Sequence, residues 1–274
     1  MNVRARPTFA ALAVAMAAAL SAQTTTSTPL PRTSWGDPRI EGTYTNKDEF
    51  GTPFERPAEL EGKQRREFGP EQMKELMVER SRRAQAGAAR IGGSADNDTG
   101  AGPPHWYEHL DAVNSRPWLV SEPADGKVPA VTDAARQRAQ ARALPRREAP
   151  DTYTDMSLYD RCISIGLPGS MMPMIYGNAY RITQSPGYVA IQYEMVHETR
   201  VIPLGDAPRV PSNLDFYMGD ARGRFEGDTL VVETRNIRPE AAYRNASEDL
   251  VITERLRPAS RREGPAAAGC RTPS

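Results

Sequence analysis

The chain has 274 residues with 35 basic and 35 acidic side chains, so its formal net charge at pH 7 is zero. This balance gives no reason to expect a nucleic-acid or anionic-membrane partner, since both are bound through an excess of basic residues. Hydrophobic residues make up 39% of the chain and are interrupted by 24 prolines and 21 glycines, which favours a modest core with long irregular segments over a compact enzyme of the full length.

The first residues are typical of a secretory signal peptide. Arg4 and Arg6 precede an apolar run of small residues at 8–20, and a signal-peptidase site follows around Ser21. The run is shorter than the ~20 residues that an anchoring helix needs to cross a bilayer. We therefore expect residues 1–22 to be removed, and the mature protein to be exported to the periplasm or secreted, without a membrane span.

The region from 23 to 157 is expected to wrap loosely around the rest of the chain, because polar, Gly-rich and Pro-rich stretches divide it. Two helices are predicted within it. The first, near 70–90, begins with Pro70, where a missing N–H costs nothing, and carries one apolar stripe of Met and Leu. The second, near 132–143, can be capped by Thr132.

His105 and His109 are four residues apart, so on a helix they would share one face, as in a two-histidine metal pair. No third ligand has a convincing spacing, and two prolines directly precede this block. The alternative is an aromatic plug, in which Trp106 and Tyr107 pack against the sheet while both histidines stay near solvent. Apart from these two candidate ligands, we predict no metal site and no cofactor.

The chain contains two cysteines, Cys162 and Cys270. Export makes a disulfide chemically possible, but one pair in a chain of this length is not a disulfide framework. We expect Cys162 to be buried as a small apolar residue. Whether the two cysteines pair is left open.

Apolar residues with a period of two predict a β domain at 158–257. The clearest strand alternates apolar and polar residues from Val189 to Met195, and Thr199–Leu204 is its expected hairpin partner. An apolar Met-rich loop at 170–178 is expected to cover one end of this sheet.

A second group of strands follows. A turn is predicted over Gly219–Gly223, and Gly227-Asp228 is a two-residue hairpin signal that favours a type II′ turn before the strand Thr229–Thr234. A last strand is predicted at 249–256. Short connections imply antiparallel pairing. The predicted fold is therefore mainly β, an antiparallel meander or incomplete small barrel, with a long irregular N-terminal region that carries one or two helices.

No strong catalytic motif is present. His197 is the sharpest single candidate, because it extends the apolar row of the strand before it and could face a barrel mouth as a base, with Glu194 and Asp220 as nearby carboxylates. Glu194 and His197 would point to opposite faces of one continuous strand, an objection that weakens if the strand ends earlier. The alternatives are a histidine at a strand end bonded to a neighbouring carboxylate, and an Asp220 that accepts local backbone hydrogen bonds.

Apolar and aromatic residues near the same end of the sheet suggest a ligand site. Met174 and Tyr176 lie in the loop before the first strands, and Tyr193 and Met195 end the clearest strand. These four are the candidates for binding a small apolar ligand at the mouth of the sheet.

Several blocks of the chain resemble one family of proteins. They run in the order RPWLVSEPADGKVPAVTDAARQRA, DRCISIGLPG, YGNAYRITQSPGYVAIQYEMVHETRVIPL, MGDARGRFEGDTLVVETRNI and DLVITERL. This order is similar to a widespread family of uncharacterised exported proteins of soil and freshwater bacteria, over roughly residues 100–257. The GRFEGDTLVVET block is the most specific part. The resemblance implies an exported β-rich domain and carries over no catalytic residue.

The end of the chain departs from that family. Similar proteins continue after the ERLRP-like strand with further strands, whereas residues 258–274 are rich in Arg, Ala, Gly and Pro and show no strand period. We expect this tail to be disordered or aberrant, through a truncation or a shifted reading frame. The strand at 249–256 would then lack a neighbour, and an unpaired edge favours aggregation.

Three functional hypotheses follow. The first is an exported binding or interaction module of the cell envelope, with a possible small apolar ligand. The second is a hydrolase-like enzyme that uses His197 with nearby carboxylates. The third is a structural envelope protein without a ligand.

Overall fold

The computed structural model describes residues 29–91, 114–142, 150–174 and 176–258. Within these ranges, two antiparallel sheets that do not close into a barrel are accompanied by two α-helices. The predicted mainly β, antiparallel fold with one or two helices is confirmed. The strands are β1 (Gly42–Thr45), β2 (Ala179–Ser185), β3 (Tyr188–Tyr193), β4 (Thr199–Pro203), β5 (Asp220–Glu226), β6 (Thr229–Arg235) and β7 (Ile252–Leu256), and the helices are α1 (Pro70–Ile91) and α2 (Asp133–Ala141).

Sheet 1 contains β1, β2, β3 and β4 in that order. The predicted alternating strand forms β3, in which Val189, Ile191 and Tyr193 are buried while the residues between them are more exposed. β4 is its hairpin partner, as expected, and places Arg200 opposite Ile191. Because successive side chains of a strand point to opposite faces, one face of sheet 1 is turned to the core and the other to solvent.

Sheet 2 contains β5, β6 and β7. Gly227 joins β5 to β6 with a φ of 60°, and Asp228 has no positive φ, which agrees with the predicted type II′ turn. The turn predicted over Gly219–Gly223 is wrong, because β5 begins at Asp220 and Gly223 pairs with Val232 inside the ladder. The chain turns one step earlier, over Phe216–Gly219, where Gly219 N donates to the Phe216 carbonyl at 3.1 Å, and Gly223 serves close packing instead.

A hydrophobic core lies between the sheets. Its buried side chains include Ile182, Val189, Ile191 and Ile202 from sheet 1, and Leu230, Val232, Ile252 and Leu256 from sheet 2. Gly223 permits a close approach of the two sheets, since a Cβ added there would lie 2.8 Å from Leu204 Cδ2 and 2.9 Å from Ile202 Cγ2. Leu204, the residue that follows β4, also forms an isolated parallel bridge with Gly223.

The N-terminal region supplies part of the sheet as well as its covering. β1 pairs with β2, and the Tyr44 ring stacks on the Tyr180 ring at 5.6 Å between centroids. Ile40, just before β1, is buried in the core. The sheet therefore extends beyond the range 158–257 predicted for the β domain, because a segment distant in sequence forms its first strand.

Both helices lie close to their predicted positions. Arg80 ties α1 to residues 114–117, because it donates hydrogen bonds to Asn114 Oδ1 at 3.2 Å and to the Arg116 carbonyl at 3.0 Å. Thr132 caps α2, because its hydroxyl accepts a hydrogen bond from Ala135 N at 3.2 Å. None of the helices in the described ranges has the length and apolar character required to cross a membrane.

Cys162 is exposed, so the expectation that it is buried is wrong. Its backbone has a φ of 52°, and its N–H donates to the Tyr159 carbonyl at 2.8 Å. This tight turn directs the thiol away from the core. Cys270, the predicted signal peptide at 1–22 and nearly all of the tail at 258–274 lie outside the described residues.

Candidate functional site

The connection between β3 and β4 holds two of the predicted catalytic residues. β3 ends at Tyr193, and residues Met195–His197 form a short 3-10 turn in which Val196 and His197 have φ values of 64° and 58°. His197 is exposed, and it does not continue the buried row of β3. Glu194 is also exposed, and its carboxylate accepts a hydrogen bond from Ala179 N at 2.9 Å.

Asp220, the third candidate, lies at the start of β5 and is buried. Its carboxylate forms ion pairs with Arg222 and, at 3.7 Å, with Arg209, and it accepts a hydrogen bond from Val210 N at 3.3 Å. Within the described parts of the chain, no hydrogen bond or ion pair joins His197, Glu194 and Asp220 to one another. These three residues are therefore not brought together as one catalytic group.

The four candidates for an apolar ligand have different surroundings. Tyr193 is 2% exposed inside the core. Met195 packs against Gly177, where an added Cβ would lie 2.6 Å from its Cε, and the Tyr159 hydroxyl lies 3.8 Å from its sulfur. Tyr176 is partly exposed and hydrogen-bonded to Tyr159.

Met174, the remaining ligand candidate, lies in the loop that ends at β2. Its backbone N–H and C=O are both held by the amide side chain of Asn178, at 2.7 and 2.8 Å. Met171, from the same loop, is buried in the core, as expected for a loop that covers one end of the sheet. Met174 and Tyr193 thus belong to the packed end of the domain.

Two open surface grooves lie elsewhere. One, of about 590 Å³, lies beside β1 and β2, and the other, of about 440 Å³, lies along the exposed side of α1. Neither is lined by the four ligand candidates. Among the described residues, no group of three or more His, Cys, Asp or Glu side chains has a metal-binding arrangement. His105 and His109 lie outside those residues.

A buried ion pair, which was not predicted from the sequence, lies between the sheets. Arg200 of β4 and Glu254 of β7 lie 2.8 Å apart, and their side chains are only 2% and 7% exposed. Charged side chains are almost never buried to this extent unless they are paired. The pair therefore joins sheet 1 to sheet 2 through the centre of the domain.

Further polar groups surround this pair. Glu198 is half-buried next to Arg200, and its carboxylate accepts a hydrogen bond from the buried Ser164 hydroxyl at 2.8 Å. Ser164 in turn accepts from Gly166 N at 2.9 Å. The Tyr193 hydroxyl is also buried here, and burial raises its pKa to about 12. Ser164, Glu198 and Tyr193 therefore form one polar cluster with the buried ion pair.

The strand pattern contains the signal that identifies this cluster. Arg200 occupies the same face of β4 as Ile202, and Glu254 lies between Ile252 and Leu256 on the buried face of β7. A single charge at an inward position of an apolar row requires a partner of opposite sign inside the protein. Two such positions of opposite charge, on two different strands, predict an internal ion pair.

Burial raises the pKa of Glu198 above its usual value, although the Ser164 hydrogen bond and the Arg200 charge oppose this shift. The folded protein therefore holds this proton more tightly than the unfolded chain, and the resulting stabilisation is lost as the pH rises from about 4.5 through the folded pKa. We expect Glu198→Gln to stabilise the protein increasingly across that window, by less than about 1 kcal/mol because Glu198 is half exposed. Urea unfolding at a series of pH values checks this, and a difference that stays constant with pH would contradict it.

The outer faces of the two sheets differ in how their polar groups are used. On sheet 2, Glu233 is paired with Arg209 at 2.8 Å and with Arg235 at 2.9 Å. Glu226 is paired with Arg224 at 2.6 Å and Arg255 at 2.7 Å. We call this surface the paired face; it comprises Asp220, Arg222, Arg224, Glu226, Glu233, Arg235 and Arg255.

The outer face of sheet 1 is exposed and carries few charges. We call it the open face; it comprises Thr43, Arg181, Thr183, Tyr188, Gln192, Thr199 and Val201, all of them exposed. Within the described residues, none of these side chains takes part in a hydrogen bond or an ion pair. The groove of about 590 Å³ borders this face and is lined by Arg39, Glu41, Gly42, Thr43, Arg181, Ile182 and Thr183.

Comparisons of the chain with protein-family models, with curated proteins and with solved structures found no match.

Proposed function

We propose that the protein is an exported interaction module of the cell envelope that binds its partner on the open face of sheet 1. The observation that carries this proposal is the contrast between the two outer faces. The charged groups of the paired face are bound by one another and by residues 207–210, whereas the polar side chains of the open face have no partner within the described chain. Tyr188 and Val201, which are 51% and 57% exposed, add apolar contact area to the same face.

Export is part of the proposal and has separate support. It is favoured by the signal-peptide pattern of the first residues and by the resemblance to exported proteins. The proposal differs from the apolar-ligand hypothesis in its location, since the packed end of the domain holds Tyr193 and Met174. The hydrolase hypothesis gains no support from an exposed His197 that forms no hydrogen bond or ion pair with Glu194 or Asp220 among the described residues.

Site-specific photo-crosslinking tests this function. A photo-reactive amino acid replaces Gln192 on the open face of the full chain, and in a matched control it replaces Arg224 on the paired face. Both positions are exposed and lie in the interior of strands. We expect a discrete adduct of defined mass from position 192 in cells that produce the protein, and none from position 224. Equal adducts at both positions, or none at 192, would contradict the proposal.

A further inference from the structure

β1 is the outermost strand of sheet 1 and is paired only with β2 in the described chain. The Asn46 N–H donates to the Asn178 carbonyl at 3.2 Å. Hydrogen-bonded and non-hydrogen-bonded pairs alternate along an antiparallel ladder, so Tyr44 and Gly42 also direct their backbone groups toward β2. The N–H and C=O groups of Thr43 and Thr45 therefore point to the free edge.

This edge has the properties of a template for another strand. The side chains of Thr43 and Thr45 are exposed, and no backbone hydrogen bond of the described residues uses their outward groups. Unpaired donors and acceptors on an edge strand pair readily with an extended chain. β1 contains no proline, whereas β4 ends at Pro203.

The charges beside β1 indicate what kind of chain fits. Arg181 lies directly opposite Thr43 in the ladder, is exposed, and forms no ion pair within the described residues. Arg39, which also lines the groove, is already paired with Glu41. A second copy of this protein added at β1 would place two uncompensated Arg181 side chains on one joined face. An acidic side chain in a partner strand would instead compensate this charge.

We propose that the free edge of β1 binds an extended peptide segment of another protein as an additional strand, with an acidic side chain on the open face directed at Arg181. This inference rests on the proposed function and specifies the partner. The backbone groups of Thr43 and Thr45 supply the hydrogen bonds, and Arg181 supplies the preference for an acid. The groove beside Gly42 accommodates the side chains of the added strand.

Two synthetic peptides test this inference on the full chain. Both peptides are extended sequences of valine and threonine. At the positions on the open face, one peptide carries aspartate and the other carries lysine. We expect the aspartate peptide at saturation to slow amide hydrogen exchange at Thr43 and Thr45 by about tenfold or more, and Arg181→Ala to weaken its binding several-fold. The lysine peptide is expected to leave both amides unchanged. Unchanged exchange with the aspartate peptide, or equal binding of the two peptides, would overturn the inference.

A pair of variants separates the backbone contribution from the side chain. Thr43→Pro removes the outward N–H without removing a hydrogen bond to β2, whereas Thr43→Ala retains that N–H. We expect Thr43→Pro to abolish binding of the aspartate peptide and Thr43→Ala to retain it, with matching thermal unfolding curves showing that both variants are folded. A Thr43→Pro variant that binds as well as Thr43→Ala would overturn the edge-strand inference.

Photo-crosslinking at position 192 separates failure of this inference from failure of the proposed function. If adducts at position 192 form equally in wild type and Thr43→Pro, the edge-strand inference fails while the proposed interaction module stands. If the wild-type protein forms no such adduct, the proposed function itself fails.

Discussion

Replacing Arg200 by methionine is expected to lower the free energy of unfolding by about 3–5 kcal/mol, because it leaves the carboxylate of Glu254 buried without its partner. The same loss is expected for Glu254→Leu, which leaves the guanidinium of Arg200 unpaired by that carboxylate. Urea denaturation of each variant measures the change. A loss of unfolding free energy of less than about 1 kcal/mol for either single substitution would show that the pair does not join the sheets as described.

The double variant makes this prediction independent of whether the single variants fold. Arg200→Met combined with Glu254→Leu removes both charges and leaves side chains of similar volume, so we expect stability within about 1 kcal/mol of wild type. The single losses would therefore not add, which is the signature of a direct interaction. A double variant as unstable as the sum of the two single variants would contradict this.

Arg255→Met is the matched control. Arg255 and Glu226 lie 2.7 Å apart, almost the same distance as in the buried pair, but their side chains are 49% and 41% exposed. Solvent screens such a pair, so we expect a loss of less than about 1 kcal/mol. The comparison isolates burial, rather than distance, as the cause of the large effect at Arg200.

Gly219→Ala is expected to cost on the order of 3 kcal/mol or more, through two separate effects. Gly219 has a φ of 68°, a conformation that is unfavourable for a residue with a Cβ. That Cβ would also lie 2.5 Å from Thr234 Cγ2 and 2.6 Å from the Arg235 carbonyl oxygen. Both neighbours belong to β6, and the carbonyl cannot move without disturbing the strand. Thermal or urea unfolding measures the loss.

Gly187→Ala separates the two effects. Gly187 has a φ of 80° in the turn between β2 and β3, and an added Cβ would have no atom within 4 Å. We expect only the conformational cost, about 1–2 kcal/mol. If Gly219→Ala costs no more than Gly187→Ala, the close packing between Gly219 and β6 is not maintained in solution.

The strands of sheet 1 that follow one another in sequence could be predicted because their apolar residues alternate. Thr199–Leu204 was expected beside β3, and β4 occupies nearly that range. Pairing between β1 and β2 could not be predicted in this way, since the two strands are distant in sequence and periodicity does not identify a partner. The glycine pattern predicts a turn over Gly219–Gly223 because glycines commonly mark chain reversals, whereas Gly223 lies within a strand and packs against Leu204.

The candidate site was harder to predict for a related reason. His197 was placed on the buried row of β3 by extending its alternation, but the chain leaves the strand at Tyr193 and turns with positive φ at Val196 and His197. The buried pair of Arg200 and Glu254 depends on two sheets facing each other, a relation that the local pattern does not contain. A search for charges at inward strand positions would have identified both residues.

The open face has no local sequence signature at all. Its residues are ordinary exposed strand residues. Their lack of partners within the described chain becomes informative only by contrast with the ion pairs of the paired face. The same holds for Arg181, which is one exposed arginine among many in the sequence. Its position opposite Thr43 at a free edge follows from the register of β1 with β2.

The yield of photo-crosslinked adduct at position 192, relative to position 224, tests most directly whether the protein is an interaction module that uses its open face. We predict a single adduct of defined mass from position 192 on the open face and no adduct from position 224 on the paired face. Equal yields at the two positions, or no adduct at position 192, would contradict the proposed function.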